Sequence, residues 1–217
     1  MSFDTDLTTD VGDELFWDPK LDSTAIAVSA ADGKITLRGN VGSLREKREA
    51  KKAAERVFGV ISVDNKLQVK LMNDDKRADA DLRGDVLQAL MLDSLVPSTV
   101  DAKVDDGFVT LTGSANWQYQ RDEAELVASN IVGTLDVLDE IELQYPTPDC
   151  GDVQDSIERA FKRNAALDAD DLHVSTDNGT VTLKGTVSSW AEHDEAIDAA
   201  WAAPGVTSVH DDLTVAY

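Results

Sequence analysis

The most constraining feature of this 217-residue chain is that it repeats itself three times. Asp32-Gly33-Lys34-Ile35-Thr36-Leu37-Arg38-Gly39, Asp106-Gly107-Phe108-Val109-Thr110-Leu111-Thr112-Gly113 and Asn178-Gly179-Thr180-Val181-Thr182-Leu183-Lys184-Gly185 align without gaps. A fixed period of this size means that one supersecondary unit has been copied. Each segment opens on Asp-Gly or Asn-Gly, the pair that supplies the two positive-φ positions of a tight hairpin turn. Each then alternates with period two, as a half-buried strand does. The preceding strands are Ala25 to Ser29, Val100 to Val104 and Leu172 to Ser175.

About twenty residues later a second matched set recurs: Phe58-Gly59-Val60-Ile61-Ser62-Val63, Val132-Gly133-Thr134-Leu135-Asp136-Val137 and Pro204-Gly205-Val206-Thr207-Ser208-Val209. The glycine is expected to cap a helix in the left-handed region. A strand follows, marked by Leu67 and Val69, Ile141 and Leu143, and Leu213 and Val215. Between the two sets the spacing predicts a helix, through Leu44, Ala50, Ala53, Ala54 and Val57 in copy one and Trp190, Ala196, Ile197 and Ala200 in copy three. Ahead of each hairpin, Leu7/Val11/Leu15, Leu82/Val86/Leu90 and Val153/Ile157/Phe161 form i, i+4, i+8 stripes. Asp149 or Asp152 is a plausible N-cap of the last of these helices.

The expected fold is therefore α+β. Three tandem αββαβ units span residues 1–73, 74–146 and 147–217. Each is a three-stranded mixed sheet with two helices on one face, the third strand parallel to a hairpin strand through a right-handed crossover. Asn73-Asp74-Asp75-Lys76 and Tyr145-Pro146-Thr147-Pro148 are the linkers. Units this short are marginal alone and gain from packing on a neighbour.

The pattern resembles the BON domain, named for bacterial osmotically inducible and nodulation proteins. The resemblance covers nearly the whole chain. Trp17-Asp18-Pro19, Trp117-Gln118-Tyr119-Gln120-Arg121 and Ser189-Trp190-Ala191-Glu192 are similar to motifs of proteins built from three BON units. It implies a non-enzymatic, stress-associated binding module, with phospholipid, potassium-type cation and protein partners as candidate ligands and no cofactor. Many relatives are periplasmic. The acidic start Met1-Ser2-Phe3-Asp4-Thr5-Asp6 has no apolar h-region, so a cytoplasmic protein is expected, peripheral at a membrane at most.

The formal charge of −22 excludes nucleic acid as a partner of the chain as a whole, since a basic footprint is the first requirement there. No run is long and apolar enough to span a membrane. The charge is uneven. Residues 1–73 carry 11 basic and 12 acidic side chains, residues 74–146 carry 5 and 16, and residues 147–217 carry 4 and 14. Copy one owes its near-neutrality to its second helix, with Arg45, Lys47, Arg48, Lys51, Lys52 and Arg56. Of these, Arg45, Arg48, Lys52 and Arg56 share one helical face. Arg45, Arg48, Lys51, Lys52 and Arg56 are the candidate ligand-binding residues. Three readings of the face stand open: a solvated helix with i, i+4 pairs, docking onto an acidic copy of this or another chain, and a phosphate or lipid-headgroup site.

No catalytic constellation emerges. His173, His193 and His210 all lie in copy three, and a metal site would require them to converge. They read as three unrelated side chains. Asp74-Asp75, Asp105-Asp106, Asp170-Asp171 and Asp211-Asp212 lack calcium-loop spacing and read as solvated turns. The glycines of Gly39-Asn40-Val41-Gly42 lack a phosphate-loop lysine and read as turn chemistry. Cys150, the single cysteine, sits in a linker with nothing to activate it. Trp190 and Trp201 are expected to pack against the sheet or a neighbour.

Overall fold

In each repeat the hairpin turn determines the sheet. A computed structural model describes residues 3–72, 75–144 and 153–217. Asp32, Asp106 and Asn178 adopt φ of 50°, 49° and 47°, and the glycine after each is also positive, the signature of a type I′ turn. Ala31 faces Lys34, Asp105 faces Phe108 and Asp177 faces Thr180, so every loop has two residues.

Repeat one runs α1 (Phe3–Trp17), β1 (Ile26–Ala31), β2 (Lys34–Val41), α2 (Leu44–Glu55) and β3 (Ser62–Val69). Repeat two runs α3 (Asp79–Leu92), β4 (Asp101–Asp105), β5 (Phe108–Ala115), α4 (Gln118–Ser129) and β6 (Asp136–Leu143). Repeat three runs α5 (Val153–Arg163), β7 (Leu172–Asp177), β8 (Thr180–Val187), α6 (Trp190–Trp201) and β9 (Ser208–Val215). The second hairpin strand is central in all three sheets, in the orders β1-β2-β3, β4-β5-β6 and β7-β8-β9. β1/β2 is antiparallel and β2/β3 parallel, and β7/β8 and β8/β9 repeat that arrangement.

The alternation of the central strand divides inside from outside. Ile35 and Leu37, Val109 and Leu111, and Val181 and Leu183 are buried under the helices, and the threonines between them turn to the other face. The helical stripes close the cores. Leu7, Val11, Leu15, Leu82, Val86, Leu90, Ile157 and Phe161 are all buried. Each such side chain contributes about 1.5–3 kcal/mol of burial.

The glycine that closes each motif has a steric reason. Gly39, Gly113 and Gly185 have φ of 135°, 117° and 141°. A methyl group on any of them would run into the carbonyl oxygen of Ala25, Thr99 or Asp171, where the chain enters the hairpin.

One expectation is corrected. Gly59, Gly133 and Gly205 have positive φ but do not cap the helices. α2 ends at Arg56, whose N–H already donates to Lys52 and Ala53 carbonyls. Gly59 lies in the following turn, closed by Val60 N–H to Val57 O at 3.2 Å. That turn aims β3 back along β2, and Ile61 N–H reaches Gly33 O at 2.8 Å.

Residues 1–115 and 120–142 form one compact unit, and residues 116–119 and 143–217 a second. The expected caps Asp149 and Asp152, Cys150 and most of the two linkers lie outside the described residues.

Candidate functional site

The basic helix is the first candidate. Ser43 starts α2 as its N-cap, its Oγ accepting from Glu46 N–H at 3.2 Å, while Glu46 Oε2 accepts from Gly42 N–H at 2.7 Å. This pair resembles a capping box, with the glutamate accepting from the N–H one residue before the N-cap. It also gives the Gly39-Asn40-Val41-Gly42 segment its role, which is to deliver the helix start. Leu44, Ala50, Ala53 and Ala54 are buried, so the cations point outward.

The five candidate residues are not equivalent. Arg56 donates to Glu14 at 2.9 Å and Asp18 at 3.0 Å, fastening the end of α2 to the end of α1. The Lys20 backbone N–H and the Arg56 guanidinium hold the Asp18 carboxyl below the ordinary carboxylate range. Lys51 pairs with Glu55 one turn on, at 3.4 Å. Arg48 leaves its repeat: Nη1 donates to Ser129 Oγ of α4 at 2.7 Å and lies 3.5 Å from Glu125 Oε1. Burial pushes the Glu125 carboxyl up, with Arg48 opposing. Arg45 and Lys52 are exposed and have no ion-pair partner among the described residues.

The same repeat carries a pair of exposed aromatic side chains outside the five candidate ligand-binding residues. Phe16 is 80% exposed and Trp17 is 82% exposed, at the last turn of α1. The signal was present, because a stripe through Leu7, Val11 and Leu15 leaves positions 16 and 17 off the buried face. The Arg56 bonds to Glu14 and Asp18 join the ends of the two helices in this repeat.

The histidines divide in two. His173 and His210 are exposed on the outer face of the third sheet. His193 is buried, with Nε2 2.9 Å from Asp211 Oδ2, Nδ1 3.1 Å from Asp194 Oδ1, and the Trp190 ring 4.7 Å away. The Asp194 bond raises its pKa above the ordinary 6.5, burial opposes, and Asp211 adds to the rise.

The other copies explain this position. Arg121 in α4 donates to Asp139 at 2.8 Å, and in copy one Asn65 Nδ2 donates to Lys47 O at 2.7 Å. The acid or amide also accepts from the N–H two residues on, at Leu67, Ile141 and Leu213. Residues 47, 121 and 193 thus face Asn65, Asp139 and Asp211 as a helix-to-strand tether, made by the backbone carbonyl in copy one and by the side chain in the other two. So Asp211-Asp212 is not a turn. Both lie in β9, where Asp211 faces the helix and Asp212 is 3.7 Å from Lys184. Trp190 and Trp201 pack on the third core as expected. Among the described residues no three His, Cys, Asp or Glu side chains are arranged to hold a metal ion. Nor is any helix there long and apolar enough to cross a membrane.

A family model described as BON domain matches residues 3–70, 78–145 and 149–217. The chain is 32% identical over 143 residues to the osmotically-inducible protein Y of Escherichia coli (strain K12), covering 64% of this chain and 71% of that protein. Among solved structures it is similar to CdsD, a structural protein of the type III secretion system of Chlamydia trachomatis. Identity there is 16%, over 96% of this chain and 91% of that chain, with a TM-score of 0.26. The PrgH periplasmic domain gives 12%, 94%, 99% and 0.23 in the same order.

Proposed function

Because this chain belongs to the BON domain family along nearly its whole length, we propose that it is a non-catalytic, stress-associated binding protein whose first repeat docks on a phospholipid surface. The stress association rests on its similarity to the osmotically-inducible protein Y. The observation that carries the membrane reading is the exposed Phe16-Trp17 pair in the repeat that also carries the basic helix. Aromatic rings set next to Lys and Arg are what an interfacial surface element presents, the rings entering the headgroup boundary and the cations meeting lipid phosphate. Arg45 and Lys52 are the cations left for that contact, with Lys51 adjacent, since Arg48 and Arg56 are held by protein partners. Copy one is also the repeat that an anionic surface repels least, at a net charge of −1 against −11 and −10 for the others.

Co-sedimentation with phosphatidylglycerol vesicles tests this. Binding is expected at low salt, weakening as salt screens the charges. Trp17→Ala, or Arg45→Ala with Lys52→Ala, should reduce it severalfold. Absence of binding at every salt concentration overturns the membrane reading.

A second reading is favoured by Arg48 alone. The basic helix engages the acidic second copy through Ser129 and Glu125, as a scaffold of oppositely charged units would. In that case the variants leave vesicle binding unchanged and alter self-association instead.

A further inference from the structure

Each of the three sheets has a second face, turned away from its own helices, and the copies differ most there. In sheet one, strand register sets Arg38 between Ala27 and Lys66, and Thr36 between Ser29 and Asp64. Lys34, Arg38, Lys66 and Asp64 are the charged side chains of this face, a net +2. Lys66 pairs with Asp64 at 2.7 Å. Lys34 and Arg38 are exposed and have no ion-pair partner among the described residues. Along β1 the face is shallow, because Ala27, Ser29 and Ala31 are its exposed side chains.

Sheet two presents the opposite. Asp101, Asp105, Asp136, Glu140 and Glu142 stand on its outer face against Lys103, a net −4. Arg83 engages Asp101 at 3.0 Å, and the other four carboxylates have no ion-pair partner among the described residues. Phe108 and Leu138 rise among them, 52% and 57% exposed. Sheet three has neither property. Its Lys184 lies 3.7 Å from Asp212, and among the described residues no large apolar side chain is exposed on that face.

We infer that the outer face of sheet one docks on the outer face of sheet two in a second copy of this chain. Phe108 and Leu138 settle over the small side chains of β1, and Lys34 and Arg38 meet the unpaired carboxylates. The second copy is the occupant because every chain carries both faces, and their exposure shows that they do not cover each other within one chain. At physiological ionic strength the Debye length is about 8 Å, so repulsion between whole acidic chains is screened more than the contact of facing side chains. A face three strands wide and eight residues long measures about 26 by 14 Å. It covers less than the roughly 800 Å² per partner of a standard interface, so the association is weak and reversible. The contact uses neither Phe16, Trp17 nor α2, and goes beyond the membrane reading.

Sedimentation velocity of the full chain at physiological ionic strength, over micromolar to millimolar loading, tests this. Reversible, concentration-dependent association is expected. Leu138→Ser should weaken it, and Lys34→Glu with Arg38→Glu should weaken it about tenfold or more. Asp136→Lys with Glu140→Lys and Glu142→Lys should weaken it as much, although that variant lowers the net negative charge and would strengthen a contact limited by repulsion alone. The chain carrying all five charge reversals, with the signs exchanged between the two faces, should associate as the native chain does. Every substituted side chain is exposed, so the cores stay intact. Four results would overturn the assignment: a monomer at every concentration; association indifferent to Leu138→Ser and to both sets of reversals, as a contact through α2 would be; stronger association of the triple lysine variant; or failure of the five reversals together to recover what each set alone removes.

Discussion

His193 shows how one residue gives a repeated fold a property its sister copies lack. Arg121 holds the same tether with its guanidinium. His193 holds it with a carboxylate at each ring nitrogen, which favours the imidazolium form. Its pKa is raised on folding, so the stability it adds is fully present below the ordinary value of 6.5. That stability is lost as pH climbs through the raised folded value. Thermal melts of the third repeat are expected to fall from neutral to mildly alkaline pH. His193→Arg, copying the second repeat, should flatten that dependence, and a wild-type melt independent of pH across this window would contradict it. The tether was half-legible in the sequence, as Arg121 and His193 stand at matching positions. What the sequence hides is that Asp211 faces inward, because Asp211-Asp212 looks like a turn until the strand register is known.

At the scale of elements, the second helix of copies one and three is fixed at its start by a serine N-cap. Ser189 Oγ accepts from Glu192 N–H at 3.1 Å, and Glu192 returns to Ser188 N–H at 2.7 Å and Asp168 N–H at 2.8 Å. Burial pushes the Glu192 carboxyl up, but these donors outweigh it and hold the carboxyl below its ordinary range. The Ser-Trp-Ala-Glu motif is thus a capping box that also ties down the loop before β7. Ser189→Ala should cost about 1 kcal/mol in urea unfolding, as N-cap losses do. The hairpins and helical stripes were legible because turn chemistry and periodicity act locally. The role of Gly59, Gly133 and Gly205 was not. A positive φ is needed both at a helix cap and in a separate turn, and only the course of the chain decides between them.

At the scale of the molecule, the uneven charge takes on a structural meaning within the first compact unit. Copy one is nearly neutral and copy two strongly acidic, and Arg48 reaches from one to the other. Arg48→Glu would set like charges against Glu125 and orphan the Ser129 contact. Repeats one and two are expected to melt as one transition in the native chain and to separate into two by calorimetry in the variant. A single unshifted transition would show that Arg48 does not couple them. The candidate site was legible only in part. The cations of α2 were evident from helical spacing, but which of them are already engaged depends on Glu14, Asp18 and Glu125. Those partners come from elements whose proximity no local pattern reports.

Placing the second hairpin strand in the centre of each sheet leaves β1, β3 and their counterparts as outer strands. Within its own repeat each such strand keeps one row of backbone donors and acceptors without a ladder, a template for stray pairing with another chain. β6 carries Asp136, Asp139, Glu140 and Glu142, and β9 carries Asp211 and Asp212. The acidity that elsewhere bears on ligand choice here guards the β6 and β9 borders against aggregation, since those two meet with like charge.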